Sequence, residues 1–198
     1  MTKFEEQKFN IGELKGISAK NIEEHLKLYA GYVKNVNGVI EKIAELSLDT
    51  EKNMYVLGEM SRRFSFEYNG MRNHEVYFNS LSGGAKNLNE GSDLAKSLTE
   101  NFGTLESFLT NLKTLALTRG IGWAVLWYDK KNNHLLSSSV DEQHLGQLNG
   151  CDMILAIDMW EHAFVYDYPT SQKKDYVNAF FENLNWEVIE NNFKKALA

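Results

Sequence analysis

SAKNIEEHLKLYAGYVKNVNGVIEKIAEL, residues 18–46, decides the architecture. Ser18 can cap a helix N-terminus, and Asn and Glu fill the first turn after it. Ile22, His25, Tyr29, Tyr32, Val33 and Val36 recur at intervals of three and four, and Ile40, Ile43 and Leu46 continue the stripe. The spacing predicts a helix over 17–46. Residues 50–81 read the same way, with Tyr55, Glu59, Phe66, Gly70, His74, Tyr77 and Leu81 on or near one face. Two such helices in succession predict an antiparallel hairpin.

Outward from the hairpin the pattern changes. Ser82-Gly83-Gly84 and the Asn/Gly/Ser residues up to Ser92 form the best linker. Ser92 or Asp93 can cap a short helix over 93–101, and Thr104 opens another that ends near Arg119-Gly120. Trp123–Asp129, a turn at Lys130–Asn133 and Leu135–Val140 read as a β-hairpin. Met153–Ile157 reads as a buried strand. Segments 160–168, 171–183 and 186–196 read as aromatic and helical. The expected fold is α+β: a long antiparallel helical hairpin over 1–86, then an α/β domain over 87–198 with a three-stranded antiparallel sheet.

Composition narrows the chemistry. The chain has 198 residues, of which 43% are hydrophobic and 24% charged, enough for a real core. A net charge of −6 argues against a general nucleic-acid partner. No stretch approaches the roughly 20 apolar residues of a membrane span, and the first residues lack the apolar run of a signal peptide. The single cysteine, Cys151, excludes an internal disulfide and a multi-thiolate metal site, which fits a cytoplasmic protein.

Three of the five histidines are placed where they can act as ligands. His25 lies on the apolar stripe of the first helix and His74 on the apolar side of the second. Antiparallel packing can bring them together, and buried imidazoles need a polar partner or a metal. Asp158 ends the buried strand and His162 follows four residues later, so both can face one point. Three imidazoles and a carboxylate suit iron or manganese better than copper(I); ligand type alone also admits zinc. His134, which follows the turn residues Asn132-Asn133, is expected at the surface.

Asp158-Met159-Trp160-Glu161-His162-Ala163 resembles the D-x-W-E-H-A signature of the iron/manganese superoxide dismutases. Gly120-Ile121-Gly122-Trp123 is similar to that family's G-S-G-W segment, and Phe66 to His74 resembles its F-N-x-x-x-x-x-N-H segment. His25 followed by Tyr32-Val33-Lys34-Asn35-Val36-Asn37 resembles H…Y-V-x-N-x-N, and Asn185-Trp186 resembles the N-W pair near the C-terminus. The resemblance covers nearly the whole chain. It implies one iron or manganese ion per chain held by His25, His74, Asp158 and His162, with superoxide as substrate. It also implies that Tyr32 guards substrate access, that Trp123 and Trp160 wall the pocket, with Phe66 and Tyr77 nearby, and that Glu161 reaches across the interface of a homodimer or higher homo-oligomer to the partner's His162. The rival reading is a metal-binding structural or regulatory protein of the same fold with little dismutase activity.

The chain also departs from the family. Lys27-Leu28-Tyr29-Ala30-Gly31-Tyr32 stands where relatives often carry K-H-H-x-x-Y, and Phe164 and Val165 stand where they carry tyrosines, so a less polar funnel is expected. His25 and Tyr32 are seven residues apart, one fewer than usual but about two helical turns, which keeps them on one face; otherwise Glu24 takes the ligand position. The amide that family members place beside the metal comes either from the second helix, where this chain has Gly70, or from the loop before the third strand. In that loop Gln143 is the first choice and His144 the second, although ungapped counting selects Glu142. Gly70 is expected to leave an empty volume beside the metal.

Overall fold

A computed structural model describes residues 3–198. Helix α1 (Ala19–Leu46) begins at the expected cap: the Ser18 hydroxyl accepts from the Asn21 backbone N–H at 3.1 Å. A short 3-10 turn (Ser47–Asp49) leads into α2 (Thr50–Leu81), which Asp49 caps by accepting from Lys52 N–H at 3.1 Å. The two helices pack as the hairpin. Burial is uneven along it. Ile22, His25, Tyr29, Val33 and Val36 on α1 meet Met71, His74, Tyr77, Phe78 and Leu81 on α2. Each large apolar side chain removed from water there contributes roughly 1.5–3 kcal/mol. The distal half is different: Tyr55 is 88% exposed and Leu48 89%, so the stripe drawn through Tyr55 and Glu59 does not mark a core face.

Helices α3 (Asp93–Phe102) and α4 (Leu105–Leu117) follow, capped by Ser92 and Thr104. The sheet comprises β1 (Trp123–Asp129), β2 (His134–Val140) and β3 (Cys151–Asp158), antiparallel in the order β2-β1-β3. β1 is central and covered on both faces, which explains its unbroken WAVLWY run. Edge strand β2 carries Ser137, Ser138 and Ser139, and opens at a half-buried His134 rather than a fully exposed one. α3 and α4 cover β1 and β2; α2 and α6 (Trp186–Leu197) pack on β3; α5 (Lys173–Glu182) packs on α4. Segment 160–168 is not a helix: it holds one 3-10 turn (Glu161–Ala163) and further turns. The short step from β3 to this 3-10 turn keeps Trp160 and His162 beside the strand end.

Two features aim the sheet at the hairpin. Trp123 pairs with Asp158 in the β1–β3 register, so the first residue of one strand sits beside the last of the other. Gly122, at φ +105°, makes the approach possible, because a Cβ there would lie 2.0 Å from the Val140 carbonyl oxygen. Its own carbonyl accepts from Met159 N–H at 2.8 Å and fixes the chain where the strand ends.

Candidate metal centre

Asp158, fully buried at the end of β3, is the hub. Its Oδ1 accepts from the Trp160 backbone N–H at 2.8 Å, which holds the carboxylate in one orientation. Three imidazole Nε2 atoms converge on the other oxygen, Oδ2: His25 at 3.1 Å, His162 at 3.2 Å and His74 at 3.5 Å. One donor atom from each of these four residues lies within 4.8 Å of the other three. α1 supplies His25, α2 supplies His74, and the strand end and turn supply the remaining two. The Asn21 side chain ties α1 to that turn by donating to Ala163 O at 2.7 Å.

The electrostatics set the protonation states. Burial pushes the His25 imidazole below its ordinary range. Burial, helped by the nearby His25, takes His74 down to about 3. Burial alone would raise Asp158, but His162 and His25 outweigh it and hold the carboxyl well below the usual carboxylate range. His162 moves up, because Asp158 outweighs its desolvation.

This donor set fits a cation. His74 donates Nδ1–H to Gly70 O at 2.6 Å, which leaves the Nε2 lone pair facing Asp158. That Nε2 is buried and has no hydrogen-bond partner. A lone pair 3.5 Å from a carboxylate oxygen is unfavourable unless positive charge lies between them. Nitrogen and carboxylate donors of this kind suit iron and manganese.

The aromatic residues form the walls. Trp123 lies edge-on to His74 with centroids 5.0 Å apart, and Trp160 stacks on His162 at 5.9 Å. Tyr77 and Phe78 flank His25 at 5.0 and 4.8 Å. A mouth of about 330 Å³ opens beside His162, lined also by Tyr32, Phe66, Trp160, Arg63 and Leu28. A larger cavity, about 550 Å³, lies beside Trp186 and contains none of the candidate residues.

Among the loop candidates, Gln143 is the residue brought to the centre. It is fully buried; its Oε1 accepts from Trp123 Nε1–H at 2.9 Å and its Nε2 donates to the Tyr32 hydroxyl at 2.9 Å. Asn73, next to His74, anchors the loop by donating to Gln143 O at 3.0 Å. His144 instead packs its ring against the edge of Phe66, and the Glu142 side chain is 45% exposed. Glu24 is not a ligand candidate: its carboxylate pairs with Lys20 and Lys27 at the surface. The volume beside Gly70 is not empty. The Tyr32 ring fills it, and a Cβ on residue 70 would lie 2.5 Å from two ring carbons.

Sequence reasoning missed Tyr176 and Phe78. The Tyr176 hydroxyl donates to the Asp158 carbonyl at 2.9 Å and bridges to Tyr77. The aromatic richness of the chain was the available signal, but no spacing marks either residue. Glu161, next to His162, is exposed, as are Val165, Tyr166 and Leu28, the last of which lines the mouth.

The description "Iron/manganese superoxide dismutases, alpha-hairpin domain" matches residues 8–82, and "Iron/manganese superoxide dismutases, C-terminal domain" matches 89–192. The chain belongs to the iron/manganese superoxide dismutase family. It is 34% identical to the superoxide dismutase [Fe] of Aquifex aeolicus over 93% of this chain and 87% of that protein. It is 35% identical to the superoxide dismutase [Mn] of Mycolicibacterium smegmatis over 87% of this chain and 82% of that one. A mitochondrial superoxide dismutase [Mn] from Glossina morsitans morsitans shares 32% identity over 95% of this chain. The family's two metals are therefore both represented among its relatives.

Proposed function

We propose that this protein is an oxidoreductase that disproportionates superoxide to dioxygen and hydrogen peroxide, with one iron or manganese ion held by His25, His74, Asp158 and His162. The observation that carries the reading is the convergence of three imidazole Nε2 atoms on one buried carboxylate oxygen in a chain of this family. Bound by these four residues, iron or manganese would supply a one-electron couple, through which two superoxide anions and two protons would give one dioxygen and one hydrogen peroxide.

The chain's own residues orient and gate. Burial, with the charges of Asp158 and Glu67, keeps the Tyr32 phenol protonated far above neutral pH, so it stands at the mouth as a proton donor. Trp123 holds Gln143 by its carbonyl oxygen, which fixes the amide with its N–H₂ toward Tyr32. Phe66, Trp123 and Trp160 exclude water around this pair. Leu28 and Val165 leave the approach less polar than histidine and tyrosine would.

The same reading gives the protein an antioxidant role and a homodimeric state in which Glu161 meets the ligand-bearing turn of a second copy. Exposed Val165, whose N–H donates to the Glu161 carbonyl at 2.8 Å, and the exposed Tyr166 that follows it in the chain support that surface. No helix among the described residues is long and apolar enough to cross a membrane; with a single cysteine, cytoplasmic residence is the natural setting. The two domains divide between residues 86 and 87. Nothing in the fold or the relatives favours a metal-binding protein without dismutase activity.

Superoxide turnover of the metal-loaded protein, with metal content measured in parallel, tests the function. High turnover at one metal per chain is expected, lost together with the metal in His74→Ala. Full loading with negligible turnover would refute it.

A further inference from the structure

We propose that Arg63 is the group that draws the superoxide anion into the mouth, an inference that rests on the dismutase reading above. A chain of net charge −6 repels an anion at long range, so attraction must come from local charge. Two cations line the mouth, Lys27 and Arg63. They are not equivalent. Lys27 shares the carboxylates Glu23, at 2.7 Å, and Glu24, at 2.9 Å, with Lys20 in a balanced surface network, so its charge is met on the solvent side.

Arg63 has one partner, Glu67, which lines the same mouth but is almost wholly buried in its wall. Its Nε donates to Glu67 Oε1 at 2.7 Å; the Glu67 side chain is 3% exposed and that of Arg63 42%. The pair is thus a dipole with its positive end toward solvent. Asn35 donates to the other Glu67 oxygen at 3.4 Å and helps keep the carboxylate inward. None of the described hydrogen bonds uses either Nη of Arg63, so both remain able to receive an anion. The guanidinium carbon lies 4.0 Å from the Phe66 ring centroid, a cation–π contact that holds the charge against the wall of the mouth. Phe66 is in turn set between Tyr32 and His144, with centroids at 6.0 and 5.7 Å. The charge therefore stands beside the tyrosine that faces the centre.

The test compares metal-loaded wild type with Arg63→Gln, Arg63→Lys, Glu67→Gln and Arg62→Gln. The first readout is kcat/KM from roughly 10 to 200 mM ionic strength, the range in which screening changes most. The second is azide affinity, followed by the absorbance of the metal centre. Arg63→Gln should lower kcat/KM at low salt by about three- to tenfold, flatten its salt dependence and weaken azide in parallel. Lysine at 63 should restore most of both. Glu67→Gln, which removes the compensating charge, should move both readouts upward. Arg62→Gln makes the same net-charge change in an exposed residue paired with Glu59, and should leave both unchanged. Salt slopes and azide affinities equal in Arg63→Gln and Arg62→Gln would overturn the inference while the dismutase reading stands. A wild type without turnover would overturn that reading, and the azide comparison then decides Arg63 by itself. Failure of the loaded wild type to bind azide counts against an anion-attracting mouth.

Discussion

Replacing Gly70 by alanine should destabilise the protein, against the ordinary effect of that change in a helix. Gly70 lies within α2, where alanine is favoured over glycine by about 1 kcal/mol. The new Cβ would lie 2.5 Å from Tyr32 Cδ1 and Cε1, whereas ordinary contact begins at 3.4 Å, so the ring must retreat by 3.4 − 2.5 = 0.9 Å. It cannot do so and keep the 2.9 Å hydrogen bond from Gln143. Overpacking of this kind costs about 1–3 kcal/mol, and the strained or lost hydrogen bond about 1 kcal/mol more. Offset by the helix gain, the net loss is about 1–3 kcal/mol. For a chain of this size, a loss of about 2 kcal/mol lowers Tm by roughly 4–8 °C. Thermal and urea unfolding of the metal-free protein measure it. Gly38→Ala and Gly58→Ala, where an added Cβ meets nothing within 4 Å, should gain stability instead. A Gly70→Ala protein stabilised to the same degree as these two controls, with unchanged turnover, would refute the Tyr32 packing argument.

Gln143→Leu should keep the metal, shift its reduction potential and lower turnover. It should also cost about 1–3 kcal/mol of stability, because the buried Trp123 N–H loses its acceptor; an unaltered potential and rate, with a clear effect from His144→Leu, would transfer the role to His144. Glu161→Ala should shift the protein from dimer to monomer in sedimentation, and an intact dimer would remove Glu161 from the interface. The metal-free protein should lose stability on acidification below neutral pH. His25 and His74 are held neutral by burial in the fold, so from pH 6.5 downward the unfolded chain binds protons that the native one refuses, until the folded His74 titrates near pH 3. Each group contributes at most about 1.4 kcal/mol per pH unit. Unfolding midpoints that are flat between pH 6.5 and 4.5 would show that the two imidazoles are not held neutral.

The hairpin was legible because Ser18 caps where serine should and the apolar stripe of α1 repeats at the helical period through Val36; the Asp49 cap of α2 went unread. The exposed distal half was not, since the same period continues through Tyr55 after the partner surface has ended. Periodicity reports which face a residue lies on, not whether anything covers that face. The 160–168 segment failed for the opposite reason. Its aromatic residues resemble a buried helix, but Trp160, Phe164 and Tyr168 are held by tertiary packing and by turns, with the Phe164 ring stacked on Tyr176 at 5.2 Å.

At the centre, the donors were legible because each combines an unusual residue with a strong local position: a histidine on an apolar stripe, an aspartate ending a buried strand. The residues that position them were harder to see. A missing side chain, as at Gly70, carries no sign of what occupies its space, and an empty volume and a tyrosine ring read identically in sequence. The occupant follows from two further facts. α1 runs from His25 to Tyr32 without interruption, so the seven-residue step returns the tyrosine to the side that faces α2. The loop before β3 then delivers the Gln143 amide to the Tyr32 hydroxyl, while Trp123 holds its far end. A bulkier residue at 70, a longer step in α1, or a loop shifted by one residue would each break this arrangement. The glycine, the spacing and the glutamine are therefore one structural choice written in three separate parts of the chain.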